Sequence, residues 1–475
     1  MYSIKSPTSV NTVVQRILKN SAYLFSATGV SALLSMIQGI LVARLLGVEN
    51  YGILGAIIMF TSVVNKLASF RMDELVVKYV GHFTEIDDHP RAAAVFKAAA
   101  LTEMVTSCVA FGLIWLLAPL GALYFAKDAA TTQWFLVYGL IVLANLISES
   151  STGLLQIFDL FRRMAVLNAV QSAITVILIA FVYLTAHQGT LALFSLSPLL
   201  AVILAYMTGK IVWAISLAVS ALVEAYRRWG GSWWRTPLDL LRQQLRELVR
   251  FAISTNLSAS LNIINKDSEL LWVAFFRNPT EVGYYKLALT LTNLVQMPIS
   301  TMPSATYPEL SRQVARQKWD SVRSILRQGS LIAGGYTLAA SLALLLLGKP
   351  LIAYVYKPEF LPAYPALLIL LAGFLVAETF YWRRIALLAL GLPEHLTKVN
   401  FVAAVLKVIG AFLFIPVMGY LGCAILLASF YVFPALVNVR KTLQTLNRLE
   451  EVGEGVNAAG TPKVVTEVLG GTQLE

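Results

Sequence analysis

Leu46-Gly47-Val48-Glu49-Asn50-Tyr51-Gly52 interrupts an apolar run in the first half of this chain, and Asn278-Pro279-Thr280-Glu281-Val282-Gly283-Tyr284-Tyr285 does the same in the second. Each link is short and turn-prone, holds an acid, and passes through Tyr and Gly into another apolar stretch. The same punctuation follows the first member of each of two successive sets of about six apolar runs, which points to a duplicated bundle of membrane helices. Bundles of that kind serve movement across a bilayer.

Composition agrees. Of 475 residues, 57% are hydrophobic and only 13% charged, with a mean hydropathy of +0.70, too little polar side chain to coat a soluble globule. Runs of roughly 20 apolar residues cross a hydrocarbon core about 30 Å thick as helices. They fall near 20–43, 51–70, 92–123, 130–156, 163–185, 191–223, 250–276, 283–307, 323–348, 361–389, 396–418 and 420–439. Open strands would leave backbone donors facing lipid, and the alternating ten-residue segments of a membrane barrel are absent. The expectation is an all-α polytopic membrane protein with about 12 transmembrane helices in two parallel six-helix lobes around a central cavity. Residues 1–223 form the first lobe, 224–249 a cytoplasmic amphipathic linker, 250–440 the second lobe, and 441–475 a cytoplasmic, mobile tail. Residues 1–19 are polar, and the first apolar run lacks a small-residue cleavage site, so it is expected to stay in the mature chain.

Charge placement sets the orientation. Arg16, Lys19, Arg162, Arg163, Arg227, Arg228, Arg312, Arg316, Lys318, Arg440 and Lys441 fall in links on the side of the amino terminus. The opposite links hold only Arg44, Lys127, Arg277, Lys349 and Lys357. This positive-inside bias puts both termini in the cytoplasm, in a multi-pass cell-membrane protein. A net charge of +11 spread over such links suits membrane lipids and not nucleic acid. Between the halves, Trp229-Gly230-Gly231-Ser232-Trp233-Trp234-Arg235 reads as an aromatic cluster at the headgroup layer. Thr236-Pro237-Leu238-Asp239 then starts an expected surface helix with Leu241, Leu245, Leu248 and Val249 on one stripe and Arg242, Arg246 and Arg250 beside it.

Cys108 and Cys423 lie far apart in expected spans, and His82, His89, His187 and His395 form no ligand motif. No metal, cofactor or catalytic set is expected. The chemistry that remains lies in ionisable groups inside the spans, each costly unless it reaches water or a partner. Asn65 and Lys66 end the second run. Asn262, Asn265, Lys266 and Glu269 recur at helical spacing in the seventh, with Asp267 adjacent, and can share one wet face. Lys286, Asn293 and Gln296 on the eighth can face the same space. Glu149, Glu378 and Lys407 are candidates for coupling to an ion, although Glu149 and Glu103 could simply pair with nearby cations. Arg383 and Arg384 suit the cytoplasmic interface. Such a mix of cations and amides suits a phosphate with sugar hydroxyls.

A family resemblance attaches to these residues. Leu41-Val42-Ala43-Arg44 running into Leu46 to Gly52 resembles the start of the polysaccharide transporter proteins. These are the lipid-linked oligosaccharide flippases of the multidrug/oligosaccharidyl-lipid/polysaccharide exporter superfamily. Val282 to Tyr285 with Pro298, Pro303 and Tyr307-Pro308-Glu309-Leu310 is similar to the same family. So are Tyr356-Lys357-Pro358-Glu359-Phe360 and Ile415-Pro416-Val417-Met418-Gly419-Tyr420-Leu421-Gly422. The resemblance implies a two-lobed flippase carrying a polyprenyl-diphosphate-linked oligosaccharide, of exopolysaccharide or O-antigen-like type, from inner to outer leaflet. Its implied pathway partners are a glycan polymerase and glycosyltransferases. It also implies a charged position where Lys266-Asp267 stands. Peptidoglycan-precursor flippases add two terminal spans that are not found here.

Alternatives differ in recognisable ways. An ion-coupled drug or cation antiporter of the same superfamily would share the architecture. A major-facilitator carrier would want a Gly-x-x-x-Asp-Arg-type loop where Arg71-Met72-Asp73-Glu74 stands. A membrane glycosyltransferase or polymerase would want a sizeable outer loop bearing acids or Arg, and the outer links are short.

Overall fold

A computed structural model describes residues 10–70, 72–188, 196–262 and 268–459, with side chains over 29–70, 72–188, 196–256 and 268–451. Every regular element among the described residues is a helix. Among the described residues, eight helical stretches are long and apolar enough to cross a membrane: Gly29–Ala68, His89–Ala126, Ala129–Ile157, Phe161–His187, Pro198–Trp229, Trp319–Tyr356, Ala363–Ala389 and Pro393–Glu451. The chain is thus an all-helical, multi-pass membrane protein.

Ten of the twelve apolar runs of the sequence fall in these eight stretches. Helix Val10–Ala68 is broken at Gly47 (φ 72°, ψ 175°), and helix Pro393–Ala459 at Gly419 (φ 60°, ψ −141°), so each holds two runs. Side chains other than glycine's are strained at such positive φ. The runs at 250–276 and 283–307 appear as the shorter helices Leu245–Asn262, Glu269–Phe276 and Pro279–Gln296, followed by Met302–Ala315.

Two compact units make up the chain, Met1–Gly283 and Tyr284–Glu475, each with its own apolar core. In the first, Phe96 is fully buried, with the rings of Trp229 and Trp233 at 5.8 and 5.5 Å from it. The tryptophan cluster therefore divides. Trp229 and Trp233 pack inward, while Trp234 stays half exposed with the Arg235 guanidinium 4.8 Å from its ring. The same inward pull acts on the segment after Pro237. Leu238–Leu241 is a short 3₁₀ turn that buries Leu241, and the helix begins at Leu245 instead of at Pro237. Leu248 is buried on its stripe, whereas Leu245 and Val249 are exposed. Tyr79 ties this helix to the segment before His89 by donating to Glu247 Oε1 at 2.8 Å. Burial, then the carboxylate it serves, raises that hydroxyl above its ordinary value. In the second unit, Tyr381, Trp382, Leu326 and Leu446 are among the buried centre.

The units repeat one another in detail. His89–Gly121 and Trp319–Leu351 are each 33 residues long, with Pro119 and Pro350 near their ends. Each runs into a five-residue π-helix, Ala122–Ala126 and Ile352–Tyr356, then a 3₁₀ turn, Ala129–Thr131 and Pro358–Phe360. Proline lacks the N–H that the α ladder needs and crowds the preceding turn, and a widened turn is one way a helix accommodates it. The next helical stretches, Ala129–Ile157 and Ala363–Ala389, are both interrupted before their last turns.

Within the first unit the links at Leu46 to Gly52 and at Asn278 to Gly283 meet. A Cβ on Gly52 would lie 1.8 Å from the Pro279 carbonyl oxygen, and one on Gly283 would lie 2.3 Å from that of Val48. The helices starting at Val48 and Pro279 touch backbone to backbone, which only glycine permits.

Candidate functional site

Helix ends and helix breaks hold the polar groups. In the first unit the helix carrying Asn65 and Lys66 stops when Ser69 turns back, its N–H and hydroxyl both donating to the Asn65 carbonyl at 2.8 and 2.7 Å. Lys66 is exposed in that last turn and Asn65 half-buried. Asn256 of helix Leu245–Asn262 donates its side-chain amide to the Ser69 carbonyl. The helix that bears Asn262 is thereby held at the end of the one that bears Lys66.

Asn262 closes its helix, and its side chain falls outside those described. Asn265, Lys266 and Asp267 lie outside the described residues, and with them the expectation of a shared wet face. Glu269 opens the next helix, buried at 3% exposure in its first turn, where the helix dipole favours an acid.

Glu149 and Glu103 form a second polar knot in this unit. The expected run at 130–156 is broken into Thr132–Gly139, Ile141–Ala144 and Ser148–Ile157. The buried Glu103 carboxylate accepts from the N–H groups of Glu149 and Ser150, at 2.8 and 2.9 Å, and from the Ser150 hydroxyl at 2.6 Å. It satisfies the open donors of a helix start, as a capping residue does, from another helix. Glu149 in turn accepts the Met72 N–H at 3.1 Å. Both acids serve backbone N–H groups in these contacts.

In the second unit Lys286, Asn293 and Gln296 share helix Pro279–Gln296 at spacings of seven and three, hence one face. Lys286 and Gln296 are half-buried and Asn293 is exposed. Gln296 donates to Glu378 Oε1 at 3.0 Å, and Glu378 is itself buried at 7% exposure in the last turn of Ala363–Thr379. The break after that turn is tied on several sides. Tyr381 shares a hydrogen bond with Thr306 at 2.9 Å, and the Trp382 indole donates to Ser330 at 2.7 Å. Arg383 donates to the carbonyls of Ala377 and Phe380. Arg383 thus fills helix-end acceptors, while Arg384 is exposed. Lys407 is buried at 7% exposure, its ammonium 5.0 Å from the Phe430 ring.

The structure therefore joins Gln296 to Glu378, which the sequence named without pairing. It adds Thr306, Ser330, Tyr381 and Trp382, which are neither acids, cations nor amides and so gave no signal. No group of three His, Cys, Asp or Glu among the described residues could hold a metal ion.

Comparison with known proteins places this geometry. The family model described as polysaccharide biosynthesis protein matches residues 17–314. The inner membrane protein YghQ of Escherichia coli strain K12 is 23% identical over 366 residues, 73% of this chain and 94% of that protein. The probable flippase AglR of Haloferax volcanii is 26% identical over 201 residues, 41% of this chain and 42% of that one. Among solved structures, a multidrug resistance MATE family transporter of the MOP superfamily, inward-facing, has a TM-score of 0.69 at 16% identity over 89% of this chain and 96% of its own. The lipid II flippase MurJ, inward closed, has a TM-score of 0.65 at 15% identity, covering 93% and 94%. At those identities the likeness is one of fold.

Proposed function

This chain belongs to the polysaccharide biosynthesis protein family, and on that footing we propose that it is a flippase. Its cargo is a polyprenyl-diphosphate-linked oligosaccharide, an exopolysaccharide or O-antigen-like repeat unit, carried from inner to outer leaflet by alternating access. Both termini face the cytoplasm in this reading. The observation that carries it is the polar equipment of otherwise apolar helices: buried Glu378 held by Gln296, Lys286 and Asn293 on the face beside it, and buried Lys407. Ionisable groups at membrane depth are costly and mark transport paths. The names of the relatives, a probable flippase among them, and folds shared with a lipid II flippase and a multidrug transporter support the class.

In this mechanism Lys66, Lys266 and Lys286 attract the diphosphate, while Asn65, Asn262, Asn265, Asn293 and Gln296 exchange hydrogen bonds with sugar hydroxyls. Asp267 and Glu269 balance the cations, and the prenyl tail stays in lipid. Glu149, Glu378 and Lys407 are the groups through which an ion could couple. A glycan polymerase and the glycosyltransferases that build the repeat unit are the proposed neighbours in the pathway.

The test is reconstitution in proteoliposomes with defined polyprenyl-diphosphate-linked sugars, following how much glycan becomes accessible on the far side. Translocation by the wild-type protein, impaired in Lys266→Ala at equal expression, is the expected result. Unimpaired translocation by Lys266→Ala would remove that lysine from the path. Efflux of cationic drugs that persists without glycan biosynthesis would favour the antiporter reading, for which buried Glu378 is the natural proton carrier.

A further inference from the structure

A groove of about 890 Å³ lies on the second unit, apart from the polar groups given roles in transport. It runs between the first turns of helix Trp319–Leu351, the break at Phe380 to Trp382, and the last long helix at Val439 and Leu443. That volume falls within the roughly 300–1,000 Å³ of ordinary ligand sites.

The floor is apolar. Leu326, Val439 and Trp382 are buried, and the Trp382 indole N–H is engaged by Ser330, so the tryptophan offers only its ring. Leu331 and Leu443 line the outer side at 66% and 41% exposure, open to acyl chains. The rim is charged. Asp320, Arg323 and Arg327 lie along one stretch of helix that turns apolar from Gly329 onward, so they sit where hydrocarbon gives way to water. Arg323 is engaged: its Nε and Nη2 each donate to Glu450 at 2.6 Å, and Nη2 also reaches Asn447 at 2.7 Å. Asp320 and Arg327 make no hydrogen bond or close ion pair among the described residues, although the Asp320 charge acts on Arg323 one turn along.

Asp320 and Glu450 cancel Arg323 and Arg327, so the rim has no net charge. What no hydrogen bond holds is one carboxylate and one guanidinium two helical turns apart. An anionic headgroup can use only the guanidinium and meets the carboxylate of Asp320, whereas a zwitterion finds a partner for each end. We propose that this groove binds a zwitterionic aminophospholipid of the bilayer, phosphate on Arg327, ammonium on Asp320, and an acyl chain against Leu331 and Leu443. The site is independent of the transported cargo.

The full-length protein would be exchanged into nanodiscs of equal phosphatidylethanolamine and phosphatidylglycerol, then extracted, and the retained lipid counted by native mass spectrometry. One phosphatidylethanolamine should be retained per chain. Retention should fall about tenfold in Arg327→Gln and in Asp320→Asn, the loss of one charge-assisted contact. Arg327→Lys, which keeps the charge, should hold most of the lipid, and unchanged unfolding midpoints would show that the variants fold. Preferential retention of phosphatidylglycerol, retention unchanged in both variants, or a polyprenyl diphosphate held at the same residues would each overturn the proposal.

Discussion

At Leu46 to Gly52 the backbone turns on one residue, Gly47, held at φ 72°, whereas at Asn278 to Tyr285 no positive φ is used. There the chain arrives extended through Arg277, the Asn278 side chain accepts the Glu281 N–H at 2.9 Å, and Pro279 takes the first helical position. An Arg277–Glu281 ion pair at 2.8 Å braces the same turn. One link relies on glycine's freedom and the other on a helix cap with a proline of preset φ. What the two share is the glycine five residues past each turn's start, Gly52 and Gly283, each pressed on the other link's backbone. Spelling at the bend is negotiable; the missing side chain at the contact is not.

Four substitutions test that contrast, read as unfolding midpoints and free energies of the purified full-length protein. Gly52→Ala should be the worst. Its methyl would sit 1.8 Å from the Pro279 carbonyl oxygen, and a backbone cannot yield as a side chain can, so about 3 kcal/mol or more should be lost. A fully stable variant would mean that the two links do not touch. Gly283→Ala, with 2.3 Å to the Val48 oxygen, should rank second at about 2–3 kcal/mol. A cost well below that would make the contact one-sided.

Gly47→Ala tests the bend itself. Forcing a side chain into a conformation almost reserved for glycine should cost about 2 kcal/mol; no cost would mean the turn relaxes elsewhere. Asn278→Ala should be mildest, about 1 kcal/mol for a lost cap. If it proved as damaging as Gly47→Ala, the capped link would be no more forgiving than the glycine one.

Much of this architecture was legible in the residues. Hydropathy alone gave an all-helical membrane protein, because a long apolar run has no other way to satisfy its backbone in lipid. The repeated punctuation pointed to a duplication, and each unit carries a 33-residue helix with a proline near its end that runs into a five-residue π-helix. Breaks inside runs were not legible. The run at 130–156 reads as one span, yet it breaks between Ala144 and Ser148, and Glu103, far away in sequence, caps the new start at Glu149 and Ser150. Thr236-Pro237 carries a sound helix-start signal, yet burial of Trp233 and Leu241 against the core delays the helix to Leu245. The candidate site fared similarly. Gln296 and Glu378 stand out as polar groups in apolar surroundings, but their hydrogen bond depends on how two helices lie, which no local pattern encodes. Tyr381 and Trp382 look like ordinary apolar filling until their polar tips are seen to anchor a break.

The π-helical endings have one more consequence. A turn closed over five residues instead of four holds a surplus residue, and each residue of an α-helix rotates the chain by about 100°. Deleting one position between 352 and 356 would therefore not trim a loop; it would swing Lys357 and everything beyond it a quarter-circle out of phase. The first unit carries its own surplus at 122–126, at the matching point of a helix of the same length.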